Sequence, residues 1–346
     1  MKKTAFLSLS SLFFGTAILT ACSPATDPAK AGSQAATPVW RVVNTLKAPE
    51  GSYDYASIDV EARQLFIGRQ YGVIAVDLTT NAVRTLIKRD DVASVLLIPG
   101  TNLMLTTNNG ADTATLLNRR TGQSVAEIKT GKGPDGAFYD ANSGLAFVMN
   151  GDSEDITLID IKAGKAIGTI AAGGAPEAGA SDGKGRVYIN IEDRNEVLVI
   201  DVASRKPVAR YPLPGCNEPT GLTYDAATGL LIPVCHNRIA KLIDAVTGAD
   251  KGSISIGAGA DGSLFDPKTR IGYIPCIDGT LTIYRLDEAG KATVLQTVAT
   301  SDGARTAALD PVTGRLYLPA ATVERDEKGE YLRADKNFSV VVVGPD

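Results

Sequence analysis

The apolar residues of this chain fall into short runs of about six residues, each bounded by turn-forming residues. LAFVMN (145–150), RVYINI (186–191) and RLYLPA (315–320) each follow a turn built on an aspartate, whereas DITLIDI (155–161) and EVLVIDV (196–202) precede another such turn. Short β-branched and aromatic runs between Asp, Gly and Pro are typical of strands joined by tight turns. The pattern therefore predicts an all-β chain.

The turn positions repeat about every 42 residues along the chain. The first series lies at Asp59, Ile98, Asp140, Asp182, Asp225, Asp266 and Asp310, and the second at Asp77, Asn118, Asp160, Asp201 and Asp244. Several continue as D-x-x-T-G, as in DAATG (225–229) and DPVTG (310–314). In such turns the carboxylate accepts backbone N–H groups two residues on, and glycine takes the left-handed position. Each repeat then contains four strands joined by hairpins.

A four-stranded sheet cannot bury both faces alone, so the repeats must stack, and radial stacking at this period predicts a seven-bladed β-propeller over residues 39–346. The seventh unit ends with FSVVVVGPD (338–346) and lacks an outer strand, while WRVVNTL (40–46) precedes the first unit and has the pattern of one. We expect this N-terminal strand to complete the last blade, which closes the ring and removes an exposed edge.

The repeat resembles the YVTN family of seven-bladed β-propellers. FVMN (147–150) and VYIN (187–190) stand where that family has its tetrapeptide. The resemblance implies the fold, but not the function, since propellers include binding proteins, hydrolases, lyases and dehydrogenase subunits.

The first residues have the features of an export signal. Lys2 and Lys3 precede an apolar stretch over residues 5–21. The segment LTAC (19–22) resembles the lipobox of bacterial lipoproteins. The resemblance implies a signal peptide over 1–21, a lipid on Cys22, a flexible membrane tether over 22–38 and sorting of the periplasm-facing protein to the outer membrane. An ordinary secretory peptide with an incidental cysteine is the alternative.

The net charge and the histidine count limit the ligands and metal sites that the protein can have. The 346 residues carry a formal net charge of −4 and include one histidine. A negative chain lacks the basic surface that nucleic-acid binding needs, and one histidine excludes multi-histidine zinc sites and bis-histidine haem. We expect a monomer whose partner is a protein or a small-molecule ligand.

One structural position, five residues before each turn of the first series, should face the mouth of the central channel. We call its occupants the funnel ring: Asp54, Ala93, Asp135, Glu177, Thr220, Asp261 and Arg305. Clustered carboxylates repel one another or recruit a cation, and Arg305 offsets one of them. The ring predicts either a hydrated polar entrance or a site for a cationic ligand, with a divalent cation as the one cofactor indicated.

The cysteines form a second candidate site. Cys216, Cys235, Cys276 and His236 should lie at the funnel end of blades five and six. A disulfide with one spare thiol suits an oxidising compartment, whereas a Cys₃His set would suit Cu(I) or zinc. Three unpaired thiols are the remaining arrangement.

The leading functional hypothesis is therefore a non-catalytic, lipid-anchored binding or scaffolding protein that presents a loop face to its ligand. The alternatives are a metal-assisted hydrolase or lyase that uses the carboxylates, and metal or redox handling through the cysteines and His236. A long charged segment at 324–337 is either a mobile insertion or a flap or partner-docking element over one face.

Overall fold

Antiparallel β-sheet makes up nearly all the regular structure of the computed structural model, which describes residues 38–325, 331–332 and 336–346. The predicted signal peptide, Cys22 and all of the tether except residue 38 lie outside these residues. Within the described ranges, no helix is long and apolar enough to cross a bilayer.

Seven four-stranded sheets form the blades of a β-propeller, which confirms the predicted fold. The chain begins with β1 (Trp40–Lys47). The first blade contains β2 (Tyr53–Asp59), β3 (Gln64–Arg69), β4 (Gly72–Asp77) and β5 (Val83–Lys88). The second contains β6 (Val92–Leu97), β7 (Leu103–Asn108), β8 (Thr113–Asn118) and β9 (Ser124–Lys129). The third contains β10 (Pro134–Asp140), β11 (Leu145–Asn150), β12 (Asp155–Asp160) and β13 (Lys165–Ala171).

The later blades follow the same order from the inner to the outer strand. The fourth contains β14 (Pro176–Ser181), β15 (Arg186–Ile191), β16 (Glu196–Asp201) and β17 (Lys206–Pro212). The fifth contains β18 (Pro219–Asp225), β19 (Leu230–Cys235), β20 (Ile239–Asp244) and β21 (Asp250–Ser255). The sixth contains β22 (Leu264–Asp266), β23 (Ile271–Cys276), β24 (Thr280–Leu286) and β25 (Ala292–Ala299). Short 3-10 turns occupy Asn109–Ala111 and Glu192–Arg194.

The seventh blade is assembled from both ends of the described chain. It contains β26 (Ala308–Asp310), β27 (Arg315–Ala320), β30 (Ser339–Pro345) and, as its outer strand, β1. Between β27 and β30 the charged insertion forms a small hairpin of β28 (Glu324–Arg325) and β29 (Tyr331–Leu332). Trp40 of β1 is buried and lies edge-on to Tyr273 of the sixth blade, so the predicted closure by the N-terminal strand is confirmed.

The aspartate turns have the predicted chemistry. The Asp77 carboxylate accepts the backbone N–H groups of Thr79 and Thr80, each at 2.8 Å, and Gly229 and Gly248 adopt positive φ values of 68° and 72°. Because these bonds form within each turn, the residues that make them recur in every repeat of the sequence.

The hydrophobic core lies between adjacent blades. Phe147 and Met149 of the third blade, for example, are fully buried in one cluster with Ile189 and Leu198 of the fourth. Burial of each such side chain stabilises the folded state by roughly 1.5–3 kcal/mol.

Several turn aspartates also join one blade to the next. Asp225 pairs with Arg270 at 2.6 Å, and Asp310 with Arg63 at 2.8 Å. These aspartate side chains are almost fully buried, so each needs its partner to offset the cost of desolvation. The turn aspartates therefore fix both the hairpin and the neighbouring blade.

Candidate functional site at the channel mouth

The funnel ring lies where the inner strands begin. In the first five blades its members are the second residues of β2, β6, β10, β14 and β18, whereas Asp261 and Arg305 precede the shorter strands β22 and β26. In the first five inner strands, each of these positions lies within a short interval where the pairing register shifts. Such irregularities re-aim side chains and are common beside functional sites.

Neighbouring blades hold the backbone at these positions. The Thr306 hydroxyl donates to the carbonyl oxygen of Asp54 at 2.8 Å, and the Thr107 hydroxyl donates to that of Asp135 at 2.6 Å. Each bond joins one blade to the next, so the ring is placed by the packing of the propeller and its geometry is preorganised.

The single guanidinium of the ring lies between two carboxylates. Arg305 bonds to Asp261 and approaches Asp54 at 3.4 Å, and both aspartates are buried. Burial lowers the pKa of Arg305, but the charges of Asp261 and Asp54 outweigh this and raise the pKa above its usual value. Arg305 therefore stays charged and neutralises part of the ring.

Tyr55 is a central residue that the sequence interpretation missed. Its hydroxyl donates to the Glu177 carboxylate at 2.9 Å, which links the first blade to the fourth. Burial raises the pKa of Tyr55, and the charges of Glu177, Asp261, Asp135 and Asp54 raise it further. All four carboxylates of the ring therefore act electrostatically on one phenol.

A signal for Tyr55 was present in the repeat. The residues that follow the other ring members are Ser94, Gly136, Ala178, Gly221, Gly262 and Thr306, all small. At Gly136 a Cβ would lie 2.8 Å from the backbone oxygen of Glu177, which shows how closely adjacent blades approach there. One tyrosine in a series of small residues indicates a side chain directed across the channel.

The charged form of the Glu177 carboxylate is disfavoured. Burial raises its pKa well above the usual value, and Asp135, Asp261 and Glu192 raise it further, while the bond from Tyr55 lowers it.

Two members of the funnel ring are uncharged. Ala93 is apolar, and the buried Thr220 donates its hydroxyl to the carbonyl of Ala260 at 2.6 Å, so it ties two blades together.

The cysteines adopt one of the three arrangements considered. Cys216 and Cys235 form a disulfide, with their Cα atoms 5.5 Å apart, and Cys276 remains a buried thiol. Burial raises the pKa of Cys276 to about 12, which disfavours the thiolate that metals bind. The Cys₃His ligand set is excluded because two of its sulfurs are bonded to each other.

His236 directly follows Cys235 of this disulfide in the sequence. Its Nδ1 atom is 2.8 Å from a carboxylate oxygen of Glu218, a residue that the sequence interpretation did not select. His236 is thus paired with an acid at the surface of blade five.

The comparisons with known proteins support the fold. No protein-family model matches the chain, and no curated protein matches it. A chain of the structure titled "Kuenenia stuttgartiensis Hydrazine Synthase" is 17% identical with a TM-score of 0.68, covering 84% of this chain and 97% of that one. A chain of "Crystal Structure of Mitotic Checkpoint Complex" is 14% identical with a TM-score of 0.73, covering 96% and 99%.

These similarities and the blade topology define the class as a seven-bladed β-propeller. At such identities they concern the fold alone. The resemblance to the YVTN family stays a prediction.

Proposed function

We propose that this protein is a non-catalytic, lipid-anchored binding protein of the bacterial cell envelope that captures a cationic ligand at the funnel ring. The single observation that carries the proposal is the cluster in which Tyr55 bonds to Glu177 and Arg305 lies between Asp54 and Asp261, with the charge of Asp135 acting on the same phenol. Burial raises the pKa of Glu177 most, and the charges of Asp135, Asp261 and Glu192 raise it further; a cationic ligand would relieve this repulsion.

Oxygen donors of this kind suit a hard divalent cation such as Ca²⁺ or Mg²⁺, or an ammonium group of a partner. The ring also concentrates negative potential inside a narrow mouth, which raises the local concentration of cations. Binding is favoured over catalysis because the one histidine of the chain, the commonest general base, bonds to Glu218 and not to a ring residue.

The anchoring part of the proposal rests on the LTAC segment and on Cys22. Cys22→Ala should move the protein from the membrane fraction to the soluble periplasm while leaving its melting temperature unchanged, because one residue carries all the lipid. Fractionation and mass spectrometry of the N-terminal peptide check this. Wild-type protein without an acyl mass would contradict the anchoring.

The cation site is tested by calorimetric titration of the purified protein with Ca²⁺, Mg²⁺ and trilysine. We expect at least one of these to bind, and Asp135→Asn combined with Asp261→Asn to weaken its binding at least about tenfold, since two of the four carboxylates are lost. Asp152→Asn, on an exposed loop of the third blade, is the matched control and should bind as the wild type does.

Two results would contradict the cation site. One is the absence of binding heat for all three probes. The other is equal affinity in the wild type and the folded double variant, which would place the bound cation elsewhere.

A further inference from the structure

Three side chains from blades four and five meet outside the funnel ring. Glu192 lies in the 3-10 turn after β15, Glu218 precedes β18, and His236 follows β19. One potential ligand atom from each lies within 4.8 Å of the others. We propose that Glu192, Glu218 and His236 form a surface site for a divalent transition metal ion, with Zn²⁺ as the ion that this donor set suits.

The donor types favour a transition metal over Ca²⁺ or Mg²⁺. Imidazole nitrogen is a preferred ligand of zinc, and carboxylate oxygens complete such sites at bond lengths of about 2.0–2.2 Å. A tetrahedral ion with those bonds needs roughly 3.4 Å between ligand atoms. The side chains of Glu218 and His236 are 61% and 38% exposed, so they have room to move the remaining distance.

The backbone that carries two of the ligands is rigidly fixed. The Cys216–Cys235 disulfide lies two residues before Glu218 and one residue before His236. The His236 N–H donates to the carbonyl of Asn217 at 3.0 Å, and the Asn217 N–H donates to the Asn237 side chain at 3.0 Å. The two loops are thus held together at their bases, as a preorganised ligand pair requires.

The third ligand is joined to the same assembly. The Asn195 side chain, at the end of the turn that begins with Glu192, accepts the backbone N–H of Glu218 at 2.8 Å. Glu218 itself adopts a left-handed φ of 51°, which is uncommon for a residue with a side chain. The Asn195 contact fixes the turn of blade four against the ligand loops of blade five.

The charge of the cluster is not balanced by its flanking arginines. Arg194 pairs with Asp193, and Arg238 pairs with Asp278, each at 3.3 Å. Among residues 38–325 and 336–346, none donates a hydrogen bond to the Glu192 carboxylate. A metal ion would supply a positive charge to balance Glu192 and Glu218, and a water molecule would be its fourth ligand.

The single histidine makes the site directly observable. With the protein prepared without a histidine tag, imidazole ¹H–¹⁵N spectra report on His236 alone. We expect one Zn²⁺ per chain to shift those signals, and His236→Ala, Glu192→Gln and Glu218→Gln each to weaken Zn²⁺ binding at least about tenfold in a chelator competition. Asp152→Asn should leave Zn²⁺ binding unchanged.

The site uses ligand residues other than those of the funnel ring, so the two sites can be tested separately. Asp135→Asn combined with Asp261→Asn should retain Zn²⁺ binding, and His236→Ala should retain the binding of Ca²⁺, Mg²⁺ or trilysine. Imidazole signals that do not move with stoichiometric Zn²⁺, or equal Zn²⁺ affinity in wild type and His236→Ala, would overturn the proposal. Melting curves of each variant verify that it is folded.

Discussion

Deletion of residues 39–48 should prevent stable folding of the propeller. These residues contain β1, which pairs with β30 along nearly its whole length and buries Trp40 and Leu46. The Trp40 backbone also exchanges two hydrogen bonds with the Gln296 side chain, at 2.9 and 2.7 Å. Removing a buried tryptophan alone costs about 3–5 kcal/mol, against a typical total stability of about 5–15 kcal/mol.

The deletion adds a second effect, because it exposes the edge of β30, which can then pair with other chains. We expect aggregation or loss of the cooperative thermal transition, measured by calorimetry and light scattering. Deletion of residues 23–36, in the predicted tether, is the control and should melt as the full chain does. A 39–48 deletion variant with an unchanged cooperative transition would refute closure by the N-terminal strand.

Replacement of Arg305 should destabilise the protein and strengthen its cation binding together. In Arg305→Gln the buried side chains of Asp54 and Asp261 lose their guanidinium, which is itself 23% exposed. Breaking a buried ion pair by removing one partner costs about 3–5 kcal/mol. A bound divalent cation would replace the lost charge, so adding Ca²⁺ or Mg²⁺ should restore part of the free energy of unfolding.

Arg41→Gln is the matched control for this variant. Arg41 pairs with Asp346 at 2.5 Å, but the two side chains are 67% and 44% exposed. Exposed pairs contribute less than about 1 kcal/mol, so chemical denaturation should barely change. If Arg305→Gln were as stable as Arg41→Gln and insensitive to cations, the ring would be a solvated entrance.

The fold could be predicted from the sequence because its signals are local. The Asp77 and Asp244 turns depend on bonds within a few residues, so they recur visibly along the chain. The closure by β1 was predictable for a related reason: the count of strands left one blade without its outer strand.

The site was only partly predictable because it depends on which side chains meet across the channel. Equivalent positions of the repeat selected Glu177 and Asp261, but not Tyr55, which reaches Glu177 from the first blade. The periodicity of the sequence also could not show that the Thr220 hydroxyl donates a hydrogen bond to the backbone carbonyl of Ala260. The pairing of Cys216 with Cys235 required a Cα separation that spacing along the chain does not fix.

The measurement that most directly tests the funnel ring is the number of protons released when a cation binds. Burial and the charges of Asp135, Asp261 and Glu192 raise the pKa of Glu177. Below that pKa the side chain carries a proton, which a cation that binds the carboxylate displaces. Titration of Ca²⁺, Mg²⁺ or trilysine in buffers of different ionisation enthalpy gives this number. We expect up to one proton released, tighter binding as the pH rises, and no release in Glu177→Gln. Cation binding without proton release at every pH tested, or the same release in Glu177→Gln, would contradict binding at these carboxylates.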